Sequence, residues 1–307
     1  MSTDASVPTP SEDKRPLRIL VPLDGSELAA RALPVAESLC RQLAAQLDVV
    51  SVLSPVVLPF VGGEPYVPGE VYVQMDTERT QSAQKYLGTV LAAAREHGVT
   101  AQAHLHRGDP ASSLVDLADE LGATLVVMTT HGRTGLARFA LGSVADRVVR
   151  GGVAPVLLLR SFPTLTHGQD LSRVLNPLDG SAVSEAPLFS IVPVLAGPVF
   201  RTITLLRVAD PRDGEMDRHI AESYANTARQ RLIDQLGARD CTVSVLVRTS
   251  KNPAASIIEA SEDGECDLTL MSTRGEAGIG RLAFGGVTDR VLRDGKTPLL
   301  VVHPPRK

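Results

Sequence analysis

The chain repeats itself. Arg18-Ile-Leu-Val-Pro-Leu-Asp-Gly-Ser26 returns as Arg173-Val-Leu-Asn-Pro-Leu-Asp-Gly-Ser181, an offset of 155 residues. Thr129-Thr-His-Gly132 and Leu141-Gly-Ser-Val-Ala-Asp-Arg147 return as Ser272-Thr-Arg-Gly275 and Phe284-Gly-Gly-Val-Thr-Asp-Arg290 at an offset of 143. The ends match as well, Ala154-Pro-Val-Leu-Leu-Leu159 against Thr297-Pro-Leu-Leu-Val-Val302. Self-similarity over so long a period means one folding unit used twice. The 307 residues are about two domains' worth. The division expected is a polar, Pro-containing disordered leader at 1–16, a first domain at 17–160, a Thr/Pro/Gly-rich linker at 161–172 and a second domain at 173–307.

Within each copy, short β-branched runs alternate with helical patterns, the sign of right-handed βαβ crossovers. The expected class is α/β, as two tandem, doubly wound, open parallel sheets of five strands. In the first copy the strands are predicted at Arg18–Pro22, Gln46–Leu53, 100–106, Leu125–Thr129 and Val156–Leu159. Leu125-Val-Val-Met and Leu268-Thr-Leu-Met are almost wholly apolar, as strands covered on both faces should be. The fifth runs each open with a proline, Pro155 and Pro298, which suits an edge. If those edges are left unpaired they invite association, so the two halves are expected to join edge to edge as a pseudo-dimer, with a homodimer as the further form. Pro34, Pro187 and Pro193 lie inside the first helical patterns, which should start late, kink or break there. The offset is still near 154 at Asp48-Val-Val against Thr202-Ile-Thr, so the residues missing from the second copy fall after its second strand. That assigns the Gly- and Pro-rich stretch 55–75 as a loop, either a surface insertion or a lid.

A net charge of −4 argues against a broad basic field for nucleic acid. Aromatics make up only 3%, with no tryptophan, which removes the usual stacking platforms for single strands. The longest uncharged apolar stretch, 188–200, contains prolines and is shorter than the ~20 residues a span needs, so neither nucleic acid nor membrane is an expected partner. Cys40, Cys241 and Cys266 form an odd set without C-x-x-C spacing, which fits a reducing cytoplasm.

Two pieces carry chemistry. Asp24-Gly25-Ser26 follows the first strand, where a carboxylate at the carboxyl end of an open sheet can meet ribose hydroxyls or a base amine; capping the next helix is the alternative role. The stretch from Thr129 to Ser143 begins at the end of the fourth strand and brings Gly132, Gly135 and Gly142 to a helix that starts near Ser143. Glycines let backbone N–H groups approach a ligand, and a helix start attracts anions; a flexible loop with a serine cap is the alternative. Neither a G-x-G-x-x-G fingerprint nor a Walker A loop is present: Gly295-Lys-Thr297 has Arg290 where the upstream glycine belongs. His104 and His106 share a strand face but have no third ligand, so no metal site is assigned.

The spacing Gly132, nine residues, Gly142-Ser143, together with the Asp after the first strand, resembles the universal stress proteins in their tandem two-domain form, whose pattern is G-x2-G-x9-G-S/T. The likeness runs twice across 17–303. It implies a Rossmann-like fold of the adenine nucleotide alpha hydrolase kind, and a cytoplasmic stress-response module that binds ATP, with Mg2+ as its companion cation. It places adenine and ribose near Pro22, Asp24 and Val49. The phosphates would run along Met128, Thr129, Gly132, Arg133, Gly142, Ser143 and Val144. No catalytic residue is implied, and occupancy rather than rapid turnover would be the working state. Thr129 stands where the pattern has its first glycine, a place where positive φ or bulk would oppose binding. The second copy has Ser272 there, Gly286 for the serine and Glu276 for Arg133, which leaves at most one competent site, in the first half. Two other readings stand beside this one: a nucleotide-independent interaction scaffold, and an adenylating or pyrophosphatase enzyme, whose S-G-G-x-D-S loop the chain lacks.

Overall fold

The computed structural model describes residues 16–55, 60–61, 64–65, 69–130, 141–152, 154–160, 171–263, 266–273 and 285–303. Nearly all of the expected leader and linker, and the loop residues Gly132, Arg133, Gly135, Gly275 and Glu276, lie outside these. The first half runs β1 (Arg18–Pro22), α1 (Glu27–Ala30), α2 (Ala32–Leu43), β2 (Gln46–Leu53), a short antiparallel pair β3 (Phe60–Val61) and β4 (Glu64–Pro65), α3 (Gly69–Glu96), β5 (Ala101–Arg107), α4 (Pro110–Leu121), β6 (Leu125–Thr129), α5 (Ser143–Gly151) and β7 (Val156–Leu159). The second runs β8 (Arg173–Leu178), α6 (Ala182–Ser190), α7 (Val192–Leu195), β9 (Thr202–Ala209), a 3-10 turn (Pro211–Asp213), α8 (Gly214–Leu236), β10 (Thr242–Thr249), α9 (Pro253–Asp263), β11 (Leu268–Ser272), α10 (Gly286–Asp294) and β12 (Leu299–Val302).

The two five-stranded sheets are one. The order is β10-β9-β8-β11-β12-β7-β6-β1-β2-β5, parallel within each half and antiparallel where β12 meets β7. The register there sets Leu300 against Leu157 and Val301 against Val156, so the two fifth strands face each other about a local pseudo-twofold. Pro155 and Pro298 do not interrupt the ladder, because each uses its carbonyl, accepting from Val126 N–H (2.9 Å) and Thr269 N–H (3.0 Å). Every residue of β7 and β12 is buried, so the runs read as edges lie at the centre of the sheet, and the outer strands are β5 and β10.

Successive strand residues face opposite sides, and each side has its own core. Ile19, Val21, Leu47 and Val49 pack with Leu39 and Val90 of α2 and α3, while Leu20, Val50 and Met128 pack with Leu114 and Val148 of α4 and α5. Both cores continue into the second half, to Leu188 and Leu232 on one side and to Ile257 and Val291 on the other.

The helices are interrupted just before Pro34 and Pro193 as expected, but not at Pro187. Pro34 has no N–H for the Ala30 carbonyl, and the helix is interrupted at Arg31; Pro187 sits inside α6, and the chain restarts at Val192 with Pro193 in the first turn. The stretch expected as a 55–75 loop is corrected at its end, because Gly69 to Met75 forms the first two turns of α3. Val71, Val73 and Met75 are exposed there, so their alternating apolar pattern reflects no strand and no buried face. The second-strand offset is also corrected: Arg18 pairs with Gln46 and Arg173 with Thr202, which sets the equivalence at 156 rather than 154.

The first strand of each half begins with an arginine on a buried carboxylate, but from different neighbours. Arg18 forks onto Asp48 (2.7 and 2.8 Å), which is fully buried on β2 and also meets His104. Arg173 instead reaches Asp267 (3.0 Å), just before β11. The halves are also clamped across the joint. Arg160, one residue beyond β7, donates to the carbonyls of Val291 (2.8 Å), Leu292 and Arg293 (3.3 Å) at the carboxyl end of α10. Burial pulls its pKa down to about 10, so the guanidinium is still charged at neutral pH, where a cation at a helix C-terminus is favoured. Arg160→Ala should lower unfolding free energy by about 2 kcal/mol, the scale of a partly buried cation on a helix end. Urea unfolding measures it, and an unchanged midpoint would show that the clamp adds no stability.

Candidate functional site

A cavity of about 890 Å3 opens at the carboxyl ends of β1, β2 and β6 in the first half. Strand order explains its place. β1 is flanked by β2 on one side and β6 on the other, and the crossovers leave for opposite faces of the sheet, which parts the chain above β1. Pro22, Asp24 and Gly25 form one wall and Met128, Thr129 and Thr130 another. Gly142, Ser143 and Val144 close a third side, and Ser82 and Tyr86 of α3 a fourth.

Asp24 and Ser26 divide the two roles that the sequence left open. Ser26 caps α1, its hydroxyl accepting from Ala29 N–H (3.1 Å). Oδ1 of Asp24 accepts from the N–H (2.9 Å) and hydroxyl (2.6 Å) of Ser26. Gly25 takes φ 81°, a left-handed turn suited to glycine, and turns the carboxylate toward the cavity. Asp179 and Ser181 build the same turn in the second half at the same 2.9 and 2.6 Å, so the turn belongs to the fold and its use as a ligand group is additional.

At the other wall Gly142, not Ser143, is the N-cap of α5, and it makes no side-chain cap. Ser143 is therefore the first helical residue, and the N–H groups at 143–145 belong to the turn that has no intrahelical acceptors. Gly142 N–H is itself taken by the Thr130 carbonyl (2.7 Å), which ties the end of β6 to the start of α5. Gly285 and Thr273 repeat that bond at 2.9 Å. Arg147 of α5 holds Asp109 at the start of α4 (2.7 Å). That bond, with those from Ser112, keeps the Asp109 carboxyl well below the usual carboxylate range.

Thr129 lies in extended conformation, the last residue of β6, paired with Leu159. Positive φ is not required of it, so the concern about a β-branched residue reduces to bulk, and its side chain is buried against the cavity. Eight of the ten expected binding residues fall among the described ones, and seven of these, Pro22, Asp24, Met128, Thr129, Gly142, Ser143 and Val144, line one cavity. Val49 does not. Its side chain is fully buried with Val21 and Leu47, one residue pair too deep, and Val50, Ser51 and Val52 reach the space instead. His104 is taken up by Asp48, Nε2 to Oδ1 2.9 Å. Tyr86 and Ser51 were not anticipated, although the tyrosine recurs as Tyr224 in the second copy.

The second half answers the same crevice differently. By strand register Arg207 occupies the position of Ser51. Its guanidinium donates to the Leu178 carbonyl (3.4 Å), and a β-carbon at Gly180 would lie 4.0 Å from Nη2. Leu178 and Gly180 are the counterparts of Leu23 and Gly25, so a cation lies where the first half has a cavity wall.

Among the described residues no cluster of three or more His, Cys, Asp or Glu could hold a metal ion. None of the described helices is long and apolar enough to cross a membrane.

The sequence pattern of the universal stress protein family matches residues 17–160 and again 171–303. A universal stress protein of Methanocaldococcus jannaschii is 34% identical over 144 residues, covering 47% of this chain and 81% of its own length. One from Mycolicibacterium smegmatis is 26% identical over 292 residues, 93% of this chain and 97% of its own. The crystal structure of a universal stress protein from Archaeoglobus fulgidus superposes with a TM-score of 0.68 at 18% identity, over 94% of this chain and 98% of that one. This last likeness is one of fold.

If Arg207 only fills the second crevice, Arg207→Ser should change stability by no more than about 1 kcal/mol, the net worth of a modest hydrogen bond. Denaturant titration checks this. A larger loss would make the guanidinium part of the fold's support.

Proposed function

The chain belongs to the universal stress protein family through both of its halves, and on that premise we propose that the first half binds ATP or a closely related adenine nucleotide. Occupancy, rather than turnover, then sets the state of a cytoplasmic stress-response regulator. The observation that carries this reading is the convergence of Asp24, Thr129 and the α5 start at Gly142-Ser143 on one cavity at the strand-order reversal. Asp24 supplies the acceptor for ribose hydroxyls, and Pro22, Val50 and Val52 an apolar floor for the base. Phosphates lie against the N–H groups of the first turn of α5 and the Ser143 hydroxyl, where the helix dipole favours negative charge. Gly132 and Arg133 belong to the same reading by sequence alone. Mg2+ would arrive on the phosphates, since this ion commonly keeps its waters and takes one or two carboxylates; with Asp24 assigned to the ribose, Glu78 is the other carboxylate in the lining. The outer strands β5 and β10 are the edges for any association between chains.

One observation favours the scaffold reading instead. Thr129 fills space that a glycine would leave beside the phosphates. Calorimetric titration of ATP separates the two, with one site per chain expected. Two equivalent sites would overturn the division between halves, and no heat of binding in any nucleotide titration would leave the scaffold. Ser143→Ala should weaken binding by about tenfold or more, the scale of a hydrogen bond to a charged group. Ser51→Arg, which carries the second half's cation into the first, should abolish binding while circular dichroism stays unchanged.

A further inference from the structure

The two halves hold the same tyrosine in unlike surroundings. Tyr86 directly precedes Leu87, Val90 and Ala94 on the buried side of α3, and Tyr224 precedes Ala225, Ala228 and Leu232 at the same spacing on α8. Tyr224 donates to Glu185 (2.8 Å), which Arg231 holds from the other side (2.8 Å). Glu185 is the sixth residue after Asp179, and the sixth after Asp24 is Ala30. The first half has thus kept the phenol and not its acceptor. The Tyr86 hydroxyl is buried with no hydrogen-bond partner among the described residues, in a side chain that lines the cavity.

A buried hydroxyl without a partner loses its hydration for nothing in return, and phenylalanine would fill the same space without that loss. The residue makes sense if the acceptor enters with the ligand. Burial and the nearby Asp24 charge both push the phenol pKa up, so the group remains a donor. Asp24, which lines the same cavity, is an acceptor. The ligand atom suited to both is a hydroxyl oxygen, which donates to the carboxylate and accepts from the phenol.

On the nucleotide reading above, we propose that Tyr86 donates to a ribose hydroxyl that Asp24 accepts from, making it a positioning residue that selects ribonucleotides over deoxyribonucleotides.

The test has two arms. In the first, ATP, 2′-deoxy-ATP and 3′-deoxy-ATP are titrated into the wild-type chain and Tyr86→Phe. The expectation is that one deoxy analogue binds the wild type about tenfold more weakly than ATP, and that Tyr86→Phe weakens ATP to that level with no further loss for the analogue. Wild-type binding of ATP with equal affinity in Tyr86→Phe, or with discrimination unchanged, would overturn the assignment while leaving the nucleotide reading intact. No binding to the wild type would remove both. The second arm needs no ligand. Tyr86→Phe should melt at or above the wild-type temperature, and Tyr224→Phe, which strips the donor from buried Glu185, should melt below it. A drop for Tyr86→Phe like that for Tyr224→Phe would reveal a partner within the protein and overturn the proposal.

Discussion

The crevice above β1 governs this molecule. A parallel strand whose two neighbours are reached by crossovers on opposite faces cannot be covered at its carboxyl end by either helix layer. Two such strands, β1 and β8, exist here because the unit is used twice. Each therefore has an opening that must be lined, filled or occupied. In the first half the position that Arg207 takes in the second belongs to Ser51, and with the small or apolar Gly25, Ala29 and Val50 it leaves a cavity that Asp24, Glu78, Arg79 and Tyr86 also line. In the second, Arg207 extends over the same place toward Leu178 and Gly180.

The joint between the halves follows from a related constraint. A parallel half-sheet ends in a strand with one row of unmatched amide and carbonyl groups, and an apolar strand of that kind is an association hazard. β7 and β12 resolve it mutually, and their antiparallel pairing seals both apolar edges inside one ten-stranded sheet. The cores on the two faces run through the joint, and Arg160 ties the end of one half to the last helix of the other. The duplication is thus an architectural unit and not two beads on a string. Its crevices lie on opposite sides of the joint and are free to diverge.

Much of this could be read from the chain. Of the five strands expected in the first half, four have the expected bounds, because apolar runs between turn residues leave little choice, and the other, Ala101–Arg107, is displaced by one residue; the short pair β3 and β4 was not expected. The start of α3 was not legible: Val71, Val73 and Met75 alternate like a strand, and it is propagation from the amphipathic turns downstream that makes them helical. Ser51 against Arg207 was hidden by the assumed 154-residue offset, which sets Arg207 against Leu53. A two-residue slip preserves the inside and outside faces, so nothing in the hydrophobic pattern exposed it. Val49 was carried over from resemblance; it and Val50 are equally buried but face opposite sides of the sheet, and on the face of Val49 it is Ser51, one step nearer the strand end, that reaches the cavity. Tyr86 comes from a helix far along the chain, and its convergence on Asp24 is a property of the folded sheet.

The second half serves as an internal control for the first. Three polar side chains around the second crevice are satisfied within the protein: Arg207 reaches the Leu178 carbonyl, Tyr224 reaches Glu185, and Glu185 also holds Arg231, whose guanidinium lies 4.7 Å from the Phe189 ring centroid, while deeper on β8 the Asn176 Oδ1 is buried with no partner among the described residues. The first half keeps the same turn, the same tyrosine and the same Gly-capped helix start. It lacks the glutamate and the guanidinium that would complete the set internally, having Ala30 and Ser51 in their places. Random decay of a binding site predicts the reverse pattern, with loss of polar groups on the side that has no ligand. The guanidinium and phenol of the second crevice are held by the protein itself, whereas the phenol of the first is left to whatever enters the cavity on the nucleotide reading.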